Sequence, residues 1–157
     1  MKTLIGINGL GRIGRMVLRS IFEEGHKGIK VKQINNKADI DVACKLIKYD
    51  SIHGKFNGDI NVQKNNIIIN GNKIPYTQET NLENILWKKN NADIVLECTG
   101  NFNTKQKLLT HIKNGAKKVL VSAPCKNADK TIVFGLNENK INNRDQIISA
   151  GSCTTNC

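Results

Sequence analysis

Ile7-Asn8-Gly9-Leu10-Gly11-Arg12-Ile13-Gly14 decides how this chain folds. The three glycines fit the spacing G-x-G-x-x-G, and the flanks supply the context that this spacing needs. Residues 3–8 form a short apolar run that ends in Asn-Gly. Beyond the glycines, Ile13, Met16, Val17, Leu18, Ile21 and Phe22 recur at helical spacing up to a stop at Gly25. Ile29 to Ile34 then alternates apolar and polar residues, as a second strand does. Strand, helix and strand within about 35 residues make a βαβ unit. At its first turn Gly9 permits the tight bend, Gly11 lets a pyrophosphate approach the backbone, and Gly14 lets helix and strand pack closely. The helix N-terminus offers free N–H groups and a partial positive charge to such an anion.

Outward from this unit the pattern continues. Residues 39–48 predict a second helix with Asp39 near its cap. Short alternating runs at 59–62, 66–70 and 73–76, punctuated by Asn-Asn and Gly-Asn, predict a small antiparallel excursion. A short helix is expected over 82–88. Ile94-Val95-Leu96 suits a strand buried on both faces. A helix over 104–114 and strands at 119–121, 132–134 and 146–149 complete the reading. No repeat, linker or low-complexity segment divides the chain. Residues 1–157 therefore read as one Rossmann-type, doubly wound α/β domain with a mainly parallel sheet and a small antiparallel insertion.

Composition bounds the function. Lysine and arginine total 24 against 13 acids, a formal charge of +11. The excess is scattered lysine, with only four arginines and 4% aromatic residues, a poor match to a nucleic-acid surface built on stacking. No apolar stretch approaches the roughly 20 residues that span a bilayer, and the apolar start reads as a strand, not a signal peptide. The cytosol is the expected compartment. Five cysteines without regular spacing make neither a disulfide framework nor a zinc pattern, so no metal is expected.

The dinucleotide fingerprint also asks for an acid about 20 residues beyond the glycines, to bond the adenosine ribose. The second strand ends Ile34-Asn35-Asn36-Lys37, so that acid is missing. Asn36 can bond a ribose hydroxyl without repelling a 2′-phosphate. NAD is the first expectation, with NADP left open. At the other end Ile147-Ile148 runs into Ser149-Ala150-Gly151-Ser152-Cys153-Thr154-Thr155-Asn156-Cys157, a strand, a tight turn and the first turn of a helix. A cysteine at a helix N-terminus is favoured as thiolate, the nucleophilic form. Of the three histidines, His53 reads as structural, and His26 and His111 read as surface residues near helix ends.

Ile7 to Arg15 resembles the opening of the phosphorylating glyceraldehyde-3-phosphate dehydrogenases. So do Tyr49-Asp50-Ser51-Ile52-His53-Gly54-Lys55-Phe56, Glu97-Cys98-Thr99-Gly100, Gly115-Ala116-Lys117-Lys118-Val119 and Ser122-Ala123-Pro124, while Ser149 to Cys157 resembles that family's active-site signature. The motifs stand in family order along essentially the whole chain. The resemblance implies that Cys153 attacks the aldehyde, that hydride then passes to NAD, and that inorganic phosphate cleaves the resulting thioester to an acyl phosphate. It implies substrate or phosphate contacts at Ser152 and Thr154. Gly9, Gly11, Arg12, Ile13 and Gly14 would meet the cofactor pyrophosphate, Thr99, Gly100 and Ser122 would line the cofactor cleft, and Asn36 takes the place of the ribose-binding acid.

The same resemblance puts the family's histidine base in a second domain outside these residues, together with most contacts of a homotetramer. The chain is thus expected to end just past its nucleophile, to bind dinucleotide weakly alone and to turn over little. An erythrose-4-phosphate dehydrogenase shares these motifs and is the nearest enzymatic alternative. From another class, a stand-alone nucleotide or nucleic-acid binding module would use the basic surface, and would be recognised by a steep salt dependence.

Overall fold

In the computed structural model, which describes residues 2–157, the glycine stretch joins strand β1 (Thr3–Asn8) to helix α1 (Arg12–Glu23) and through it to β2 (Ile29–Asn35). α1 stops at the expected place: Glu24 caps it and Gly25 turns at φ +68°. Helix α2 (Ile40–Lys48) follows, with the Asp39 carboxylate accepting the Asp41 N–H at 2.8 Å. A two-residue ribbon, β3 (Tyr49–Asp50) and β4 (Gly54–Lys55), comes next. It is too short to leave a periodic signal, so no pattern in the sequence announces it.

The expected antiparallel excursion is present as β5 (Ile60–Val62), β6 (Asn66–Ile69) and β7 (Asn72–Thr77). It is not detached from the main sheet, because β7 also pairs parallel with the end of β2. The strands β8 (Ile94–Glu97), β9 (Lys118–Val121), β10 (Lys130–Thr131) and β11 (Ile147–Ser149) complete one nine-stranded sheet in the order β10-β11-β9-β8-β1-β2-β7-β6-β5. Neighbours from β10 to β7 along that order run parallel. Helix α3 (Lys105–Lys113) crosses from β8 to β9, and a last turn, α4 (Cys153–Asn156), follows β11.

Each face of the sheet has its own core, as parallel strands covered on both sides require. Ile5, Ile7, Val31 and Ile34 pack with Leu18, Ile21 and Ile47 of α1 and α2. Trp87, Val95, Val119 and Ile147 pack with Leu108 of α3 on the other side. β8 serves both cores: Val95 enters the second, while Ile94 and Leu96 pack on the first.

Three expectations need correction. The segment 82–88 is not one helix but two 3₁₀ turns, Leu82–Asn84 and Trp87–Asn90, broken at Ile85 and Leu86. The strand expected at 132–134 lies earlier, at Lys130–Thr131. Ile132 still donates to the Ser149 carbonyl, but the Val133 N–H turns to the Asn137 side chain and Gly135 sits at φ +83°, which throws Phe134 into solvent. His111 is not a surface residue. It lies on the inward face of α3, fully buried beneath Trp87. Among the described residues no helix is long and apolar enough to cross a membrane.

Candidate functional site

In a parallel sheet ligands bind outside the carboxyl ends of the strands. Here that edge holds a cavity of about 530 Å³, lined by Asn8 and the turn Gly9-Leu10-Gly11, by the end of β2, and by Glu79, Cys98, Thr99 and Phe102. Each glycine of the turn has its own reason. Gly9 sits at φ +92°, and a Cβ there would come within 2.8 Å of the Thr99 methyl. A Cβ on Gly14 would lie 2.0 Å from the Gly9 carbonyl oxygen, so helix and turn meet only because it is absent. Gly11 differs: its φ is −64° and a Cβ added there would find its nearest neighbour 3.9 Å away. No packing contact requires glycine at Gly11, so the space it leaves belongs to the cavity. No side chain caps α1, and its first turn carries no acid. These features fit the pyrophosphate of a dinucleotide.

Asn36 closes the turn. Its Oδ1 accepts the Leu10 N–H at 3.1 Å and its Nδ2 donates to Tyr76 Oη at 3.0 Å. The Tyr76 hydroxyl spends its own proton on the Ala38 carbonyl at 2.8 Å, so residue 36 must offer a donor. A carboxylate cannot, which gives a local reason for the missing acid. Lys37 lines the same cavity.

Arg12 turns elsewhere. Its Nη1 lies 3.4 Å from Asp50 Oδ2 in the β3–β4 ribbon, where Asp50 also accepts the N–H groups of Ile52 and His53. Those two N–H bonds, more than the Arg12 charge, hold the Asp50 carboxyl well below the usual carboxylate range. His53 bonds the same carboxylate, in keeping with a structural role.

Of the residues expected at the cofactor, Gly9, Gly11, Asn36 and Thr99 line the cavity, and Arg12, Ile13, Gly14, Gly100 and Ser122 do not. Gly14 packs beneath the turn, Gly100 makes a bend at φ +72°, and Ser122 donates its N–H to the Glu97 carbonyl on the neighbouring strand. The sequence reading missed Asn8, Asn35 and Glu97. Each is the last residue of its strand and follows an apolar residue, Ile7, Ile34 or Leu96, and a polar residue closing a buried parallel strand is the signal that could have found them. All three are buried and joined: Asn35 Nδ2 donates to Asn8 Oδ1, and Asn8 Nδ2 to Glu97 Oε2.

Cys153 begins α4 at the end of β11, which runs parallel to β1 in the same sheet. The thiol therefore stands at the same edge as the glycine turn, with the ends of β8 and β9 between them. It is exposed, and it does not line the glycine-turn cavity. Gly151 turns the chain at φ +72°, and Ser152 caps α4 by accepting the Thr155 N–H at 3.0 Å. Asn156 Nδ2 braces the turn by donating to the Ala150 and Ser152 carbonyls. Ser152 opens on a second cavity, of about 500 Å³, with Thr104, Cys125, Lys126 and Thr131, whereas Thr154 lines neither cavity. Cys98, in the glycine-turn cavity wall, is the opposite kind of thiol: burial pushes its pKa up to about 11, against a hydrogen bond from Ser122.

Residues 3–105 match the family described as Glyceraldehyde 3-phosphate dehydrogenase, NAD binding domain. Among curated relatives, the glyceraldehyde-3-phosphate dehydrogenase of Clostridium pasteurianum is 44% identical over 155 residues, covering 99% of this chain and 46% of that protein. That of Geobacillus stearothermophilus is 42% identical over 158 residues, covering 100% of this chain and 47% of its own length. The chain thus spans about half the length of the curated relatives it matches.

Proposed function

The chain belongs to the glyceraldehyde-3-phosphate dehydrogenase family and carries its NAD-binding domain, and from that premise we propose that it is the cofactor-holding part of an enzyme oxidising glyceraldehyde 3-phosphate, with inorganic phosphate, to 1,3-bisphosphoglycerate. The observation that carries the reading is the open space at Gly11, a cradle beside an uncapped helix N-terminus that no neighbouring side chain fills. Gly9, Gly11 and the first N–H groups of α1 would hold the pyrophosphate, with Asn36 near the ribose and Thr99 in the wall. Arg12, Ile13, Gly100 and Ser122 would contribute from the rim. Bound NAD would supply the hydride acceptor.

The chain's own chemistry is at Cys153. Its thiolate adds to the aldehyde carbon, forming the C–S bond of a thiohemiacetal. That carbon would then give up its hydride to the nicotinamide acceptor while its hydroxyl gives up a proton to the general base, which leaves a thioester. A phosphate oxygen then attacks the acyl carbon, the C–S bond breaks, and the acyl phosphate departs as the thiolate returns. Ser152 and Thr154 flank the sulfur where substrate or phosphate would bind. The general base and the contacts of a homotetramer would come from the part of the protein that its relatives have and these residues lack, so residues 1–157 alone would turn over little. Loss of a general base alone typically forfeits on the order of 10²–10⁴ in rate.

Replacing Cys153 by Ser in the natural, full-length protein tests this. NAD binding should survive, while phosphate-dependent NADH formation from glyceraldehyde 3-phosphate should fall by at least about 10³-fold. Substantial turnover by the serine variant would remove Cys153 from the mechanism. Failure of the parent to bind NAD would remove the reading of the cleft.

A further inference from the structure

We propose that Glu97 is the positioning residue of the dinucleotide cleft, the common acceptor of a one-way chain of buried donors and the group that holds Thr99 against the glycine turn. The proposal rests on the cleft being a dinucleotide site and names the buried group that sets its shape. Glu97 lines no part of the cavity. It acts through Asn8 and Thr99, which do.

The direction of the chain is fixed from both ends. The indole N–H of Trp87 can only donate, so His111 accepts it at Nδ1, at 2.9 Å, and carries its ring proton on Nε2, 3.0 Å from Glu97 Oε2. At the far end the main-chain N–H of Glu79 donates to Asn35 Oδ1 at 2.9 Å. That bond turns Asn35 Nδ2 toward Asn8 Oδ1, and Asn8 Nδ2 in turn toward Glu97 Oε2 at 2.6 Å. The Thr99 N–H reaches the other oxygen, Oε1, at 2.8 Å, and the Thr99 hydroxyl joins it. Every hydrogen points at Glu97, and reversing a link would orphan an indole or main-chain N–H. Glu97 and His111 are 1% and 0% exposed, so no water stands ready to replace a lost partner. Only a group with acceptors on both sides satisfies the set.

The consequence for the cleft follows from Thr99. Its methyl and N–H are the atoms that a side chain on Gly9 would strike, so Thr99 and the glycine turn are in contact. Glutamine has the shape of Glu97 but must present an NH₂ on one side. His111 and Asn8 are both locked as donors, so they keep the amide oxygen and the NH₂ faces the Thr99 N–H. The wall of the cleft then moves while the sheet stands. Trp87→Phe removes the lock: His111 can carry its proton on Nδ1, accept from Gln at 97, and return the amide oxygen to Thr99.

The experiment compares Glu97→Gln in the parent protein and in Trp87→Phe, with NAD itself as the titrant and the melting temperature measured beside it. In the parent the NAD dissociation constant should rise by about tenfold or more with the far-UV spectrum unchanged. In the Trp87→Phe background the same substitution should weaken binding by only about threefold, the remainder reflecting Asn8, although the double variant is the less stable protein. A purely structural Glu97 would make affinity and melting temperature fall together in both backgrounds. Equal losses of affinity in the two backgrounds, or parental affinity in folded Glu97→Gln, overturn the proposal. If the parent does not bind NAD, the cleft reading fails separately and hydrogen exchange decides: Thr99 amide protection lost in Glu97→Gln with β8 still protected supports the positioning role, and retained protection overturns it.

Discussion

The glycine turn after β1 and the cysteine turn after β11 occupy equivalent places in one sheet, yet they are held in different ways. The first is pinned from afar. Gly9 donates to the Asn35 carbonyl, Leu10 to the Asn36 side chain, and Asn8 reaches Glu97, 89 residues away in sequence. The second is tied to the sheet only at its root, where Ala150 donates its N–H to the Val121 carbonyl and the Ser149 hydroxyl donates to the Ala123 carbonyl. Hydrogen bonds made by residues 152–157 stay within six residues, and Cys153 and Cys157 are exposed. A turn tied into both cores opens only with the domain, whereas a turn tied to its neighbours opens alone. On the proposed function, a rigid binding turn and a locally adjustable nucleophile would therefore share one edge.

The sharpest way to break the comparison lies inside the first turn. Gly14→Ala puts a methyl 2.0 Å from the Gly9 carbonyl oxygen, and α1 cannot back away without opening the core at Leu18 and Ile21. It should destabilise the domain by about 3 kcal/mol or more, read by denaturant unfolding. Gly11→Ala should leave stability within about 1 kcal/mol, since the methyl enters empty space and only the cap preference is lost, while NAD binding weakens by roughly tenfold. If both variants lose stability alike, Gly11 is a packing residue and the cradle reading falls.

Next in size is the contrast between two thiols. Cys98 sits in the rigid region with its pKa pushed up to about 11, so at pH ~7.5 its thiolate fraction is on the order of 10⁻³ or less. Alkylation followed by peptide mapping should label Cys153 and Cys157 in the native protein and reach Cys98 only after unfolding. Native labelling of Cys98 as fast as Cys153 would mean that the wall of the first cleft opens freely.

A smaller effect is expected at Asp50, which ties the β3–β4 ribbon to Arg12 beside the glycine turn. Its carboxyl is depressed in the folded state, so its contribution is full above the unfolded value near pH ~3.9 and is lost as pH falls through the folded value. The stability gap between the parent and Asp50→Asn should be flat from about pH 5 to 7 and shrink below about pH 4. A gap that widens on acidification would reverse the sign assigned to this group.

The two regions also differ in how much of them could be read from sequence. G-x-G-x-x-G between an apolar run and a helical stripe specifies the turn because each glycine answers a local demand. The same holds for Asp39 as a cap and for Gly151 and Ser152 before α4. The network under the turn leaves no local trace. Nothing in residues 104–114 shows that His111 rather than a neighbour faces inward, because that depends on Trp87, 24 residues earlier, crossing over α3. Asn36 reads in the sequence as a simple loss of an acid, and only the Tyr76–Ala38 bond explains why a donor is needed there. The strand expected at 132–134 fails for a related reason: Ile132-Val133-Phe134 is apolar enough for a strand, but the Asn137 side chain captures the Val133 N–H and ends the pairing.

The smallest expected effect probes the second turn directly. Asn156 is exposed, and its amide donates to the Ala150 and Ser152 carbonyls at 3.0 and 2.9 Å, bridging the bend that delivers Cys153. Water can replace both bonds, so Asn156→Ala should change unfolding free energy by less than about 1 kcal/mol. The Ser152 cap and the Gly151 bend would remain, but the backbone would lose the brace between them. The alkylation rate of Cys153 should then change severalfold while that of Cys157, outside the bridged bend, stays close to parental. A large loss of global stability with no change at Cys153 would show the opposite of what the geometry implies: that this turn, too, is tied into the core.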